Sequence, residues 1–198
     1  ILGTNEELKQ LCADAKKMGI RIMLDGVFSH TGDDSRYFNK YGNYDTLGAY
    51  QSKESPYYDW YCFNNYPNGY ESWWGFSTLP NVKEENPSYM KFIIENEDSV
   101  LKYWMKQGIC GWRLDVVDEL PEKFTQTFYK VLKEVDKDAV MLGEVWEDAS
   151  NKSAYGVSRE YLCGQELDSA MNYPFRQVVL DFLLGYADAT QISKRLKS

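Results

Sequence analysis

Closely spaced cysteines and long apolar runs are both absent from this sequence of 198 residues. The four cysteines, at positions 12, 62, 110 and 163, show no CxxC spacing, so we expect free buried thiols rather than a metal knuckle or a disulfide framework. No apolar run is long enough to cross a bilayer, and no membrane partner is expected. The first residues lead into a helix rather than a signal peptide, which favours a cytoplasmic over a secreted location.

Positive charge is scarce as well. The sequence has 22 Lys and Arg residues against 30 Asp and Glu residues, a formal net charge of -8 at pH 7. This excess of negative charge argues against a polyanionic partner, so no contact with nucleic acid is expected. Aromatic residues are plentiful instead, at 16% of the chain. Sugar-binding clefts use flat rings for stacking, but cores and protein interfaces use them too, so composition alone leaves the function open.

Helical and strand-like segments alternate along most of the chain. Thr4 and Glu7 form a capping box at the start of an amphipathic helix, and Pro87 and Pro121 open two later helices. Strict alternation predicts an α/β fold with parallel strands. The predicted order is a helix over 4–18, a strand over 20–24 buried on both faces, a helix over 86–107, a strand over 109–116, a helix from 121, strands over 139–145 and 166–171, and a last helix from 174.

The segment 31–81 interrupts this alternation. It is rich in Tyr, Asn, Gly, Ser and Trp and shows no helical periodicity. A stretch of this length between periodic segments is typical of an inserted loop subdomain, and such insertions commonly build the wall of a cleft.

Two carboxylates stand at the ends of neighbouring predicted strands. Asp115 lies two residues after Arg113, and because side chains alternate along a strand, both point to the same face. The chain between Asp115 and Glu144 has room for one helix and its loops. A right-handed crossover then brings both acids to the same edge of a parallel sheet, which is where α/β proteins carry out chemistry.

This pair of acids suits the hydrolysis of a glycosidic bond. Arg113 is expected to keep Asp115 ionised through a charge-assisted hydrogen bond, whereas packing against Trp146 and neighbouring acids is expected to raise the pKa of Glu144. One charged and one neutral carboxyl group can serve as nucleophile and general acid. The residues alone leave an equal alternative, in which an Arg–Asp ion pair lies at a strand end beside an unrelated surface glutamate.

A third motif lies at the end of an earlier strand. Residues 25–30 (DGVFSH) contain the only histidine of the chain. Together with residues 113–115 (RLD) and 143–146 (GEVW), in this order and at these strand ends, the motif resembles the α-amylase superfamily, glycoside hydrolase family 13. The resemblance covers nearly the whole chain. It implies a (β/α)8 barrel and the activity of a retaining α-glucan hydrolase or transferase.

The resemblance implies a role for each of these residues. Asp115 would be the nucleophile that forms a β-glycosyl enzyme, Glu144 the general acid and base, and Arg113 the electrostatic partner of the nucleophile. His30 would hydrogen-bond the sugar in the -1 subsite, and Asp25 would be a structural member of the same shell. Retaining glycosidases hold their two carboxyl groups about 5 to 5.5 Å apart, and we expect that separation here.

Further motifs are most similar to the neopullulanase and cyclomaltodextrinase branch of the family. They are WW at 73–74 with LPNV at 79–82, VVDE at 116–119 and LDSAMNY at 167–173. Within that branch, Glu119 and Trp146 match positions on the aglycone side of the cleaved bond. The implied substrates are α-glucan oligosaccharides of the starch type, pullulan or cyclodextrins, and the implied reaction is hydrolysis by double displacement.

The resemblance also implies an internal piece of the catalytic domain, a partial TIM (β/α)8 barrel covering about strands 3 to 6. Residues 1–30 would form barrel helix 2 and strand 3, residues 31–81 a B-domain-like insertion, and residues 82–198 barrel helix 3 through helix 6. The family's third carboxylate, an Asp preceded by His near the seventh strand, has no counterpart in the sequence. Such a piece is expected to have little activity alone and to self-associate through exposed barrel edges, or to be only marginally folded.

No cofactor is predicted. Many calcium-dependent members of the family have an asparagine ligand where Ser29 stands, and a serine hydroxyl is a poorer oxygen donor for calcium. The usual calcium site is therefore not predicted, although calcium stays an open alternative, and no metal ligands are identified. Two other functions stay open: a glucanotransferase or isomerase of the same superfamily, and a non-catalytic carbohydrate-binding piece whose acids carry out no chemistry.

Overall fold

The computed structural model describes residues 3–195, and its central feature is a sheet of four parallel strands. In chain order the elements are α1 (Asn5–Lys17), β1 (Leu24–Gly26), β2 (Phe63–Asn65), β3 (Gly69–Tyr70), α2 (Pro87–Met90), α3 (Val100–Lys106), β4 (Gly111–Leu114), α4 (Glu122–Val135), β5 (Val140–Gly143), β6 (Ser153–Ala154), β7 (Val157–Ser158), β8 (Ser169–Ala170), α5 (Tyr173–Leu183) and α6 (Ala189–Arg195). The order in the sheet is β1-β4-β5-β8, while β2–β3 and β6–β7 form separate antiparallel pairs. The predicted α/β fold with parallel strands is confirmed, and within the described residues the sheet is open.

The register of the sheet determines which side chains meet at its carboxyl edge. Asp25 pairs with Arg113 across β1 and β4, and Leu114 pairs with Gly143 across β4 and β5. Residues that follow a pair in parallel strands stay neighbours. Asp115 directly follows Leu114, and Glu144 directly follows Gly143. The two acids therefore lie side by side at the carboxyl edge of the sheet.

Aromatic side chains pack between the sheet and α4. Trp112 is buried on the face of β4 opposite to the charged side chain of Arg113, as strand alternation predicts. On α4, Phe124 and Phe128 are fully buried, with ring centroids 5.9 and 5.4 Å from that of Phe28. Burying a large apolar side chain contributes roughly 1.5–3 kcal/mol. This cluster therefore holds α4 against the strands and keeps the strand ends in place.

The first helix begins as predicted but is less buried than predicted. Both hydrogen bonds of the capping box between Thr4 and Glu7 are present. The apolar stripe predicted for this amphipathic helix consists of Leu8, Leu11, Cys12, Ala15 and Met18. Cys12 and Ala15 are buried, whereas Leu11 is 54% exposed and Met18 is 75% exposed. Two members of the stripe therefore face solvent in the described part of the chain.

The predicted strand over 20–24 is shorter and more exposed than expected. Paired residues begin only at Leu24, and Ile20 is 53% exposed, so the prediction of burial on both faces is wrong. The reason is position: among residues 3–195, β1 pairs with β4 alone. A strand at the edge of a sheet has a neighbour on one side only, so its apolar run is not enclosed.

The predicted helix over 86–107 is divided in two. α2 continues into a turn of π-helix, Lys91–Glu95, and α3 begins afresh after Ser99. The buried Ser99 hydroxyl donates to the Ile94 carbonyl oxygen at 3.0 Å and accepts from the Lys102 N–H at 3.4 Å. A serine hydroxyl that hydrogen-bonds to backbone groups on both sides favours a break in the helix. Apolar periodicity does not reveal such a break.

The last elements differ from prediction at their ends. β8 covers two residues of the strand predicted over 166–171. α5 begins at Tyr173, capped by Asn172, and α6 follows it, so the helix predicted from 174 is not the last one. Within residues 3–195, no helix combines the length and the apolar character needed to cross a membrane.

The segment 31–81 folds around its own aromatic rings. Phe38 is fully buried, and its ring centroid lies 4.9 Å from that of Tyr61 and 4.8 Å from that of Tyr70, both in edge-on contacts. A bridge between His30 and Asn81 places the start and the end of the segment next to each other. The division of the chain into residues 1–30, 31–81 and 82–198 stays a prediction.

Gly111 offers a test of the close packing of β4 on β5. Its φ is +155°, and a Cβ atom there would collide with the Val140 carbonyl oxygen. Gly111→Ala is expected to lower the free energy of unfolding by about 3 kcal/mol or more, because overpacking and backbone strain act together. Gly164→Ala is the matched control: its φ is +88° in open space, and a loss of about 1–2 kcal/mol is expected. Urea denaturation measures the free energy of unfolding of both variants, and an equal decrease in the two would contradict this account.

Exposed apolar side chains lead to a second prediction. At the end of α5, Leu183 is 71% exposed and Leu184 is 63% exposed. Exposed apolar surface promotes association, and so does an open sheet edge. We expect the chain to self-associate in sedimentation experiments, and the double variant Leu183→Lys, Leu184→Glu to have a lower apparent mass. Tyr41→Lys, at a 60% exposed residue of the insertion, should leave the mass unchanged. A monomer at every concentration would refute the prediction.

Candidate active site

The guanidinium group of Arg113 joins three carboxylates at the carboxyl edge of the sheet. Its Nη1 donates to Asp25 Oδ1 at 2.6 Å and to Asp115 Oδ1 at 2.8 Å. Its Nη2 lies 2.8 Å from Glu144 Oε2. The Arg113 side chain is 21% exposed, so water screens these charges only in part. One cation therefore connects the ends of β1, β4 and β5.

Glu144 is the most deeply buried acid of this group, at 9% exposure. Its Oε2 accepts the backbone N–H of Val116 at 2.9 Å, and its Oε1 accepts the hydroxyl of Tyr173 at 3.0 Å. Val116 has a φ of +37°, in the left-handed region that a β-branched residue rarely adopts. This strained turn, directly after the nucleophile candidate, presents the N–H to Glu144.

The pKa of Glu144 is lower than its usual value, which corrects the expectation from sequence. Burial acts to raise it. The Val116 amide, the Trp146 indole and the Tyr173 hydroxyl donate hydrogen bonds to the carboxylate, and together with the positive charge of Arg113 they outweigh burial. Sequence reasoning considered the packing and the nearby acids but not these donors, so its predicted direction was wrong.

The pKa of Asp115 is higher than its usual value, again opposite to expectation. Burial is the largest cause, and it outweighs the hydrogen bond and the charge of Arg113. The negative charge of Glu144 acts in the same direction as burial. The arginine predicted to keep Asp115 ionised is in place, but it is shared among three acids.

His30 lies next to the insertion. Its Nδ1 is 2.9 Å from Ser29 Oγ, and its ring centroid is 5.5 Å from that of Trp73. Burial lowers the pKa of His30, against the charges of Asp115 and Glu119, which raise it. A neutral imidazole can both donate and accept a hydrogen bond, which suits contact with sugar hydroxyl groups.

Glu119, Glu144 and Trp146 line one cavity. Trp74 from the insertion contacts Glu119 and Trp146. The Trp74 Nε1 donates to Glu119 Oε1 at 2.9 Å. The Trp74 ring lies 5.5 Å from that of Trp146, at an interplanar angle of 89°. A residue from the insertion thus joins the two residues predicted for the aglycone side.

The structure brings Asp25, Arg113, Asp115 and Glu144 into direct contact, with His30, Glu119 and Trp146 around them. Sequence reasoning missed two contributors, Tyr173 and the N–H of Val116. Tyr173 follows β8, so the rule that selected residues at strand ends could have found it. The Val116 N–H has no sequence signal, because its direction depends on the left-handed backbone.

Ser29 is the position at which the sequence predicts no calcium ligand. Ser29 is 3% exposed, and its hydroxyl is engaged by the imidazole of His30. Within residues 3–195, no three His, Cys, Asp or Glu side chains are grouped so that they could hold a metal ion. Independence from calcium stays a prediction.

Comparison with known sequences gives the family. The sequence model described as "Alpha amylase, catalytic domain" matches residues 1–196, nearly the whole chain. The chain belongs to the α-amylase family. The resemblance inferred from the three strand-end motifs is confirmed.

Curated relatives of this α-amylase family chain include hydrolases of α-glucans. Amylopullulanase of Thermoanaerobacterium thermosulfurigenes is 40% identical over 227 residues, a match that covers 100% of the chain and 12% of the relative. Neopullulanase 2 of Thermoactinomyces vulgaris is 34% identical over 181 residues, covering 88% of the chain and 28% of the relative. The chain therefore spans less than a third of the length of either relative.

Solved structures of α-amylase family enzymes superpose on the chain. The cyclic alpha-maltosyl-(1→6)-maltose hydrolase of Arthrobacter globiformis matches with a TM-score of 0.82 and 29% identity, covering 99% of this chain and 42% of that one. The type III pullulan hydrolase of Thermococcus kodakarensis matches with a TM-score of 0.80 and 28% identity, covering 98% and 32%. These neighbours are TIM-barrel enzymes, so the prediction that the parallel strands form part of such a barrel is confirmed.

Tyr173→Phe tests the cause of the low pKa of Glu144. Removing the hydroxyl takes a hydrogen bond from the charged carboxylate, so the pKa of Glu144 should rise. Carbon-detected NMR titration of the carboxyl groups measures this directly. Where turnover is observed, the alkaline limb of kcat/KM should move to higher pH, because Glu144 must be protonated to act as an acid.

Tyr129→Phe is the matched control for this titration. It removes a hydroxyl that donates to Asp168 at 3.2 Å, outside the Arg113 cluster. The pKa of Glu144 should be unchanged in this variant. A fall, or no change, of that pKa in Tyr173→Phe would show that the tyrosine does not stabilise the charged form.

Proposed function

We propose that this chain carries the nucleophile and the general acid and base of a retaining α-glucan hydrolase acting on starch-type oligosaccharides, pullulan or cyclodextrins. The observation that carries the proposal is the contact of Asp115 and Glu144 with opposite nitrogens of one guanidinium group. Two carboxyl groups so near each other, in unlike surroundings, suit double displacement. The names of the relatives, amylopullulanase and neopullulanase, support the substrate class.

In the first step, the carboxylate of Asp115 attacks the anomeric carbon while Glu144 donates its proton to the glycosidic oxygen. The bond between that carbon and the leaving sugar breaks, and a β-glycosyl ester forms. Glu144 must hold a proton here, although the free site favours its charged form. Bound sugar that excludes water raises the pKa of a buried carboxyl group, and the charge of Asp115 acts in the same direction.

In the second step, the ester on Asp115 carries no charge. The Val116 and Tyr173 donors then keep Glu144 as a carboxylate, which is the form that a general base requires. Glu144 takes a proton from water as the water oxygen attacks the anomeric carbon, and Asp115 leaves as a carboxylate. Two inversions at one carbon retain the α configuration.

Arg113 and His30 support these steps without exchanging protons with the substrate. Arg113 balances the negative charge that returns to Asp115 when the ester is cleaved, through its 2.8 Å contact. His30, with a lowered pKa, contributes a neutral imidazole beside the sugar hydroxyls. Asp25 shares Nη1 of Arg113 and so orients the guanidinium group.

Covalent trapping tests the nucleophile. With 5-fluoro-α-D-glucosyl fluoride, we expect one fluoroglucosyl group on the peptide that contains Asp115, detected by mass spectrometry. Asp115→Asn should abolish the label. Glu144→Gln should still be labelled, because fluoride leaves without a proton donor, but its ester should persist longer without a base. Asp138→Asn, at an exposed acid before β5, is the control and should be labelled like the unaltered chain.

Other results would point to other functions. Reversible protection by sugar without any covalent label would indicate a carbohydrate-binding unit rather than a catalyst. A label that persists in Asp115→Asn would contradict the assignment of the nucleophile. Release of β-glucose from α-glucosyl fluoride would rule out the retaining mechanism, and predominant transfer to added sugar would indicate a glucanotransferase.

A further inference from the structure

The turn that follows β4 is held from a distant part of the chain. Residues 116–120 (turn 116–120) begin with the strained Val116, whose N–H donates to Glu144, and continue into a short 3₁₀ helix. The Leu120 N–H donates to the Val117 carbonyl oxygen at 3.1 Å, which maintains the shape of the turn. A strained residue keeps its conformation only where the surrounding structure enforces it, so contacts from outside must hold the turn in place.

Tyr161 fastens the turn through the side chain of Asp118. The tyrosine is fully buried, and its hydroxyl donates to Asp118 Oδ1 at 2.6 Å. The Nζ of Lys152 lies 3.1 Å from the other oxygen, Asp118 Oδ2. Hydrogen bonds to an ionised carboxylate are among the strong ones in proteins. Both partners belong to the chain between β5 and β8, so Asp118 ties the turn to that connection.

Arg159 fastens the same turn at its end. Its Nη1 donates to the Leu120 carbonyl oxygen at 3.0 Å, and its Nη2 lies 2.7 Å from Glu166 Oε2. The guanidinium group also lies over the ring of Tyr161, 4.6 Å from the ring centroid. The side chains of Arg159 and Glu166 are 4% and 1% exposed. Two residues of one segment therefore hold turn 116–120 at two points.

The buried pair of Arg159 and Glu166 does not suit a role in stability alone. Removing two charges from water costs free energy, which their attraction offsets only in good geometry. Within residues 3–195, Arg159 Nε and Glu166 Oε1 are buried without a hydrogen-bond partner, so the compensation is incomplete. A well-packed apolar pair of similar size can be equally stable, but it cannot hold a carbonyl oxygen in place. The pair therefore indicates a role in positioning.

We propose that Tyr161 and Arg159 are positioning residues for the general acid and base: by fastening turn 116–120, they keep the Val116 N–H on the carboxylate of Glu144. The inference rests on the proposed function and deepens it, because it adds two residues that act on Glu144 through the backbone. Neither of them lines the cavity that Glu144 borders. Their effect on the reaction must therefore pass through the turn.

The positioning has a measurable consequence for Glu144. A hydrogen bond to a charged carboxylate lowers its pKa, and the Val116 N–H is one of the donors that do so here. The Trp146 indole, the Tyr173 hydroxyl and the charge of Arg113 act in the same direction from other segments. They remain in place when the turn loosens. The pKa of Glu144 should then rise through the loss of the Val116 bond alone, and the Val116 amide should exchange its proton faster.

Tyr161→Phe tests the first point of attachment, because it removes only the hydroxyl that donates to Asp118. In hydrogen–deuterium exchange followed by NMR, we expect the Val116 amide to exchange about tenfold faster relative to the Cys110 amide, directly before β4. Carbon-detected NMR titration should show a higher pKa of Glu144 than in the unaltered chain.

Tyr89→Phe is the matched control. Tyr89 is also buried, and its hydroxyl donates to the Phe28 carbonyl oxygen at 3.0 Å rather than to a residue of turn 116–120. Its Tm should fall much as that of the test variant does, whereas the relative exchange of the Val116 amide and the pKa of Glu144 should be unchanged. Equal changes in the two variants would show general destabilisation and would overturn the proposal.

The double variant Arg159→Met, Glu166→Leu tests the second point and separates position from stability. It removes the buried pair as a whole and leaves no charge unpaired, so the Tm should stay within about 5 °C of that of the unaltered chain. The hold on the Leu120 carbonyl oxygen is lost, so faster relative exchange at Val116 and a higher pKa of Glu144 are expected. Unchanged values of both would overturn the role of Arg159, whatever the Tm.

The outcomes distinguish this inference from the proposed function. A Val116 amide that depends on Tyr161, in a chain whose Asp115 resists labelling, supports the positioning and contradicts the catalytic proposal. An unchanged Val116 amide in both variants overturns the inference, whether or not Asp115 is labelled. Neither measurement requires turnover by the chain.

Discussion

The shared guanidinium group of Arg113 is the interaction on which the rest of the site depends. It contacts Asp25, Asp115 and Glu144, which follow three adjacent parallel strands. Three carboxylates at one partly buried edge would repel each other, and a single cation with a planar array of donors can serve all three. Because the three carboxylates share the cation, none of them is stabilised by its full charge. Local burial and other hydrogen-bond donors then decide how the pKa of Asp115 and that of Glu144 shift.

The unlike surroundings of the two central acids follow from this arrangement. Asp115 has Arg113 as its charged partner but loses hydration, so its pKa rises. Glu144 loses hydration as well, yet it gains the Val116 amide and the Tyr173 hydroxyl, and its pKa falls. The strained turn at Val116 therefore acts on both acids, since it ends the strand that carries one and donates to the other. Strain, hydrogen bonding and charge are concentrated at the same few residues.

Much of the fold was predictable because its signals are local. The capping box at Thr4 and the side-chain alternation around Trp112 depend on neighbours in sequence, and both are present. Errors arose where distant parts of the chain intervene. Ile20 is exposed because β1 has a neighbour on one side only, and the helix over 86–107 breaks at Ser99, whose hydroxyl finds backbone partners on both sides. Apolar periodicity reports neither cause.

The sequence by itself determined the family and the order of the parallel strands, and it placed Asp115 and Glu144 at adjacent strand ends, because alternation and motif spacing are properties of the chain. The tertiary structure alone decided how those acids titrate and which rings surround them. Tyr173 reaches Glu144 from the far side of β5, and Trp74 reaches Glu119 from the insertion. The pKa of a carboxyl group depends on the donors and solvent within a few ångströms, and the fold brings those donors from segments that no local pattern connects.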